Sequence, residues 1–167
     1  ILLITKSDID KSDSFLAQGG ICVMYDESDY ESYFEDTMRA GHYENRKESV
    51  DIMLRSSRAI IDELVELGVD FAKNPDGSLK FTREGAHSRP RICFHEDITG
   101  KEITEKLIAE VRKYSNIRIV ENLTMIDITE FDGRCTGIVA RYTNGELVQL
   151  KAKFTVLATG GIGELFN

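Results

Sequence analysis

Phe154-Thr155-Val156-Leu157-Ala158-Thr159-Gly160-Gly161 is the stretch on which the fold turns. It runs without a charge into a glycine pair, the pattern of a strand buried on both faces of a parallel sheet and ending in a tight turn. The chain opens on a second run of this kind, Ile1-Leu2-Leu3-Ile4-Thr5. Parallel strands need long crossovers, usually helical, and the sequence between the two runs supplies helices. Tyr30, Tyr33, Phe34, Thr37 and Met38 recur at helical spacing from Ser28 to a stop at Gly41. Val50, Met53, Leu54, Ser57, Ile60, Ile61, Leu64 and Leu67 mark one side of a longer helix, Asn45 to Leu67, which Gly68 ends. Thr99 and Glu102 form a T-x-x-E capping box for a third helix that buries Ile103, Leu107, Val111 and Tyr114.

The remaining segments read as strands and turns. Phe71 to Phe81 holds the turn Asn74-Pro75-Asp76-Gly77 between short apolar stretches, a hairpin-like excursion. Ile117 to Val120 is a strand, and Leu123 to Thr129, Cys135 to Tyr142 and Glu146 to Ala152 alternate with period two. Turns at Asp132-Gly133 and Asn144-Gly145 join these last three into an antiparallel meander. The order of elements predicts an α/β sheet with a meander attached.

A length of 167 residues suits one domain or a piece of a larger one. With 41% hydrophobic and 30% charged residues and only two prolines, the chain is neither disordered nor low in complexity. Twenty-one basic against 29 acidic residues give a net charge of −8, which disfavours nucleic acid and anionic membranes and leaves small molecules or proteins as partners. No apolar run approaches the roughly 20 residues of a membrane span, and Ile1 lacks the basic flank of a signal peptide. Cys22, Cys93 and Cys135 are odd in number and free of C-x-x-C spacing, so neither a disulfide framework nor a metal site is expected, and a cytoplasmic location fits. They read as small buried hydrophobes without a paired base. A start without methionine, inside a strand, reads as a fragment.

In an open parallel sheet, ligands bind beyond the carboxyl ends of the strands, where loops and helix N-termini bring unpaired N–H groups together. Two glycine-bearing loops qualify, Ala17-Gln18-Gly19-Gly20 and Ala158-Thr159-Gly160-Gly161; each singly is equally an ordinary turn. Thr82-Arg83-Glu84-Gly85-Ala86-His87-Ser88-Arg89-Pro90-Arg91 packs three guanidiniums, a carboxylate and an imidazole into ten residues. Such a segment either binds an anionic substrate and a substrate ammonium or is a charged surface loop. Asp26, Glu27, Asp29, Glu31, Glu35 and Asp36 crowd the start of the first helix and read as a solvated face favourable to the helix dipole.

Taken together, Ala17 to Gly20, Thr82 to Ser88, Asp97 to Gly100 (D-x-T-G) and Ala158 to Gly161 resemble the L-aspartate oxidases. These belong to the flavoprotein group that includes the flavin subunits of succinate dehydrogenase and fumarate reductase, and the resemblance covers essentially the whole chain. It implies an α/β fold, part of a Rossmann-like FAD-binding domain (1–167) with a parallel sheet and an attached three-stranded antiparallel meander. Within it, 24–116 would be a helical insert carrying the Glu84 loop, and 117–152 the strand and meander. The family's first strand with its dinucleotide turn would precede Ile1, and its capping and C-terminal helical regions would follow Asn167.

The activity implied is oxidation of L-aspartate to iminoaspartate with oxygen or fumarate as acceptor, feeding quinolinate and NAD synthesis, with quinolinate synthase as a pathway partner. The resemblance implies that Thr5 and Lys6 meet the adenosine end of FAD and that Ser12, Ser14, Ala17, Gln18, Gly19 and Gly20 line its diphosphate and ring. Ala158, Thr159, Gly160 and Gly161 would close around the same cofactor. Members that attach flavin covalently carry a histidine where this chain has Asp13, so FAD is expected to be noncovalent. Glu84 matches the active-site carboxylate that attracts the substrate ammonium, and His87 lies in the same motif as a second catalytic candidate. Arg91 is expected to be structural and His95 a loop-packing residue. The rival readings are a fumarate reductase or succinate dehydrogenase type flavoprotein, and a noncatalytic module of the same fold.

Overall fold

Strand β1 (Leu2–Ile4) pairs in parallel with β5 (Arg118–Val120), Leu2 opposite Arg118 and Ile4 opposite Val120. The computed structural model describes residues 1–161. They form two units, one made of residues 1–13 with 112–161 and the other of Ser14–Val111. In the first unit the parallel pairing is as expected, but full burial of β1 is not, since Leu2 is 43% exposed and Leu3 and Ile4 are only partly buried. The run from Phe154 to Ala158 departs further from expectation. It forms no strand, and Phe154 and Val156 are 89% and 87% exposed. A parallel strand takes its ladder bonds from neighbours on either side, and no described residue pairs with this run.

The meander of the first unit consists of β6 (Leu123–Phe131), β7 (Arg134–Tyr142) and β8 (Leu147–Lys151) in sequential antiparallel order. Asp132 and Gly133 both hold positive φ, 51° and 70°, the backbone of a tight two-residue hairpin. Period-two alternation puts Leu123, Ile138 and Ala140 into a core that Ile4, Val120, Val148 and Leu150 cover.

The second unit contains a one-turn helix α1 (Asp13–Leu16, its first residue in the other unit), three two-residue strands, and three longer helices. The strands β2 (Ile21–Cys22), β3 (Phe81–Thr82) and β4 (Ile92–Cys93) form an antiparallel sheet in the order β2-β4-β3. A 3-10 turn (Glu27–Asp29) leads into α2 (Tyr30–Ala40), followed by α3 (Lys47–Glu66) and α4 (Thr99–Val111). Helix α3 serves two cores: Val50 and Leu54 pack with Met24, Tyr33 and Met38, and one to two turns on Ile61 and Leu64 pack with Val23, Val69, Phe71 and Cys93. Met53 and Ile60, read as part of its apolar stripe, stay half exposed at its edge. Gly68 ends α3 at φ +93°, as a left-handed stop requires.

Three local readings need correction. Gly41 stops α2 without left-handed backbone (φ −89°); His42 and Tyr43 carry the positive φ instead. A Cβ at 41 would lie 1.8 Å from the Asn45 side-chain oxygen, so that side chain would have to move to admit one. Thr99 and Glu102 do not close a capping box. The Thr99 hydroxyl accepts from the His95 N–H and the Glu102 carboxylate from the Asp70 N–H, both at 2.9 Å, so the pair ties the start of α4 to two other segments. Leu107 and Tyr114 are largely exposed rather than core.

Candidate functional site

The charged decapeptide is the connection between β3 and β4. Arg91 N–H donates to the Thr82 carbonyl (3.1 Å) and extends their ladder, so the residues from Arg83 to Pro90 project as a loop. Inside it the His87 N–H approaches the Glu84 carbonyl at 3.4 Å, and Ala86 sits at φ +69°, a left-handed conformation that costs a non-glycine residue energy. Such a turn persists only where its surroundings hold it. Here the hold is a buried charge cluster.

Arg91 is completely buried. Its Nε and Nη2 donate in a fork to the two Asp29 oxygens (2.7 and 2.8 Å), Nη1 donates to Asp36 Oδ2 (2.8 Å), and Nη2 also donates to the Ser32 hydroxyl (2.7 Å). Both the backbone N–H and the hydroxyl of Ser88 donate to the same Asp36 oxygen, at 2.6 Å each. Burial alone would raise the Asp36 carboxyl, but the Ser88 and Arg91 donors override it and hold it at about 2. Asp29 is likewise lowered against the pull of burial by Arg91 and Ser32. The expected structural role of Arg91 is what the geometry displays. The solvated reading of the acidic helix start is wrong at two of its positions, because Asp29 and Asp36 are buried and paired. A signal existed: Asp29, Tyr33 and Asp36 lie four and three residues apart, on the stripe that buries Tyr33.

Of the second unit's candidates, the structure brings Gly19 and Glu84 together. A Cβ on Gly19 would lie 3.4 Å from Glu84 Oε1, so the glycine loop and the charged loop share one surface. Glu84 is exposed and takes part in no ion pair among the described residues. Gly20 is required by the protein itself, since a Cβ there would sit 2.3 Å from the Cys93 carbonyl oxygen and would drive β2 from β4. Ser14 and Ala17 meet the D-x-T-G motif: Gly100 N–H donates to the Ala17 carbonyl at 2.9 Å, and a Cβ on Gly100 would strike the Ser14 carbonyl at 2.1 Å. That motif packs the start of α4 under the glycine loop, leaving Ala17, Gln18 and Gly19 exposed.

His87 lies on the inner side of the same loop. Its Nε2 is 3.3 Å from Cys22 Sγ and its ring packs edge-on to Tyr33, with centroids 6.0 Å apart. This contact gives Cys22 a neighbouring base, contrary to the expectation from the sequence that it has none. The other thiols fit differently: Cys93 is buried and pushed up to about 11 by burial, and Cys135 is exposed. His95 packs in its loop, with Nδ1 against the Asp70 carbonyl.

The first unit holds the other candidates. Thr5 donates its hydroxyl to the Ser7 carbonyl at 2.6 Å, and Lys6 is exposed without an ion pair among the described residues. Ser12 is partly buried. Gly160 adopts φ +72°, and a Cβ on it would come 3.7 Å from Asp13 Oδ2. Ala158, Thr159 and Gly161 are exposed, and a Cβ on Gly161 would meet nothing within 4 Å. Within this unit the Lys6 ammonium, the Thr159 hydroxyl and the open glycine backbone at Gly161 are groups of the kind that hold a phosphate.

These observations define a flavin-binding fold, and the chain belongs to the family described as FAD binding domain, which matches residues 1–167. Its cofactor is FAD. Among curated proteins, the chain is 42% identical to an L-aspartate oxidase of Clostridium perfringens and 44% identical to one of Clostridium acetobutylicum. Each match takes in 100% of this chain and 38% of the relative, so the chain spans about two fifths of the length of those proteins. Among solved structures, an E. coli quinol fumarate reductase superposes with a TM-score of 0.91 at 30% identity, covering 99% of this chain and 28% of that one. Across the described residues no helix is long and apolar enough to cross a membrane.

Proposed function

We propose that this chain is the FAD-binding part of an L-aspartate oxidase. The observation that carries the reading is the placement of the Glu84 carboxylate, exposed and free of a cationic partner among the described residues, beside the glycine loop at Gly19. A bare carboxylate at that position attracts an ammonium group, which aspartate has and succinate lacks. When bound, FAD supplies a two-electron acceptor for the bond between the substrate α-carbon and its hydrogen. Glu84 orients the amino group and His87, on the same loop, meets a substrate carboxylate. The loops at Ala17 to Gly20 and Ala158 to Gly161 line the cofactor, with Ser12 and Ser14 at its diphosphate and Thr5 and Lys6 at its adenosine end. Asp13 offers no imidazole for a covalent link, which supports noncovalent FAD.

In this reading residues 24–116 are the insert that delivers Glu84 and 117–152 the strand and meander. The full-length enzyme makes iminoaspartate, with oxygen or fumarate as acceptor, for quinolinate and NAD synthesis in the cytoplasm, and quinolinate synthase is the next enzyme in line. The likeness to the fumarate reductase favours one alternative, a dicarboxylate oxidoreductase of that type. The absorbance of the full-length flavoprotein under anaerobic conditions tests the two. Bleaching of the flavin band by L-aspartate but not by succinate supports the oxidase; bleaching by succinate alone overturns it.

A further inference from the structure

Resting on the role given to His87 above, the geometry points to Cys22 as a positioning residue. We infer that the Cys22 thiol donates to His87 Nε2 and thereby leaves Nδ1–H as the ring's free donor for a carboxylate of the substrate. Two observations meet here. Cys22 Sγ lies 3.3 Å from His87 Nε2, and the Nδ1 atom of the same ring is buried without a hydrogen-bond partner among the described residues. Buried ring nitrogens are normally satisfied, so an orphan one asks for a ligand or an ordered water.

The direction of the Cys22–His87 bond follows from the groups around it. Imidazole nitrogen is the stronger acceptor and sulfur the weaker. Burial raises the Cys22 thiol, and nearby Glu84 adds to the rise, so the sulfur keeps its proton and has one to give; the neighbouring Tyr33 and the charge of Arg91 pull the other way without reversing the shift. Tyr33 is itself raised by burial and remains a phenol. The thiol proton therefore points to His87 Nε2. A neutral imidazole that accepts at Nε2 must carry its proton at Nδ1. The Tyr33 ring, edge-on at 6.0 Å, keeps the imidazole from turning.

The test uses the full-length protein and the variants Cys22→Ser and Cys22→Ala, with histidine labelled at its ring nitrogens and the His87 signal assigned through His87→Asn. The parent and Cys22→Ser are expected to show His87 as the Nδ1–H tautomer, with that resonance moving when succinate is added. Cys22→Ala is expected to shift it toward Nε2–H and to raise KM for aspartate about tenfold with little change in kcat, and serine is expected to restore most of the loss. An Nε2–H tautomer in the parent, or Cys22→Ala spectra and KM equal to those of the parent, overturns the inference. If Cys22→Ala does not fold, the tautomer in the parent and in Cys22→Ser decides. If aspartate leaves the flavin oxidised, the oxidase reading fails, while the nitrogen signals and their response to succinate still decide for or against Cys22.

Discussion

Replacing Arg91 with Met strips the only buried cation from a pocket that holds two carboxylates among the described residues. The guanidinium is 0% exposed and makes four donor contacts of 2.7 to 2.8 Å with Asp29, Asp36 and Ser32, and it stacks 5.0 Å over the Tyr33 ring. Methionine fills much of the same volume, so packing over Tyr33 survives and the loss is electrostatic. Breaking a buried pair while its partner charges remain costs about 3–5 kcal/mol, mostly because the stranded charges stay desolvated. Arg39, 2.7 Å from Asp36 Oδ1, and Arg89, 3.7 Å from Asp29, remain as half-exposed partners, which places the expected loss near the lower end, about 3 kcal/mol. Urea midpoints of the full-length protein, with hydrogen exchange across residues 29–40 and 83–91, measure it. Adding Asp29→Asn to Arg91→Met should recover part of the loss, with a coupling of about 1–3 kcal/mol in the double-mutant cycle. A loss under about 1 kcal/mol for Arg91→Met, or a cycle that is strictly additive, would refute the claim that this cluster holds the Glu84 loop.

The same cluster sets an acid limit. With Asp36 held at about 2 against an ordinary 3.8, its ionised form contributes about 2.5 kcal/mol of stability, fully present above pH 4 and lost as pH falls through 2. Acid titration of the parent against Asp36→Asn should show the variant losing that slope; identical slopes would remove Asp36 as its cause. Glu84→Gln in the full-length enzyme should raise KM for aspartate by about 10- to 100-fold, the worth of a charged hydrogen bond, and leave fumarate nearly unaffected. Equal effects on both substrates would end the discrimination role. Gly20→Ala should cost about 1–3 kcal/mol from overpacking against Cys93, whereas Gly161→Ala should leave the urea midpoint of the cofactor-free protein unchanged and weaken FAD binding. Normal FAD affinity in Gly161→Ala would take that glycine out of the cofactor loop.

What local periodicity encodes was legible in the residues. The 3.6 spacing of Val50, Leu54, Ile61 and Leu64 specifies α3, and the period-two alternation with Asp132-Gly133 and Asn144-Gly145 specifies the meander, because each depends only on neighbours a few positions away. Ala17 to Gly20 and Thr82 to Ser88 are far apart in the chain and were joined only by the family resemblance; the structure sets Gly19 beside Glu84.

Tertiary structure alone decided partner identity. Arg91 meets Asp29 across 62 positions and Asp36 across 55, and Cys22 meets His87 across 65. Helical spacing sets Asp29 and Asp36 on the stripe of Tyr33, apart from the four solvated acids around them, but it does not name their partner, and their burial becomes tolerable only when a distant guanidinium arrives to neutralise it. The same holds for Thr99 and Glu102, whose box-like spacing yields to donors on other segments, and for Gly20, whose missing Cβ answers to the Cys93 carbonyl. Spacing along the chain sets which face a residue occupies; what stands opposite that face is settled by the fold.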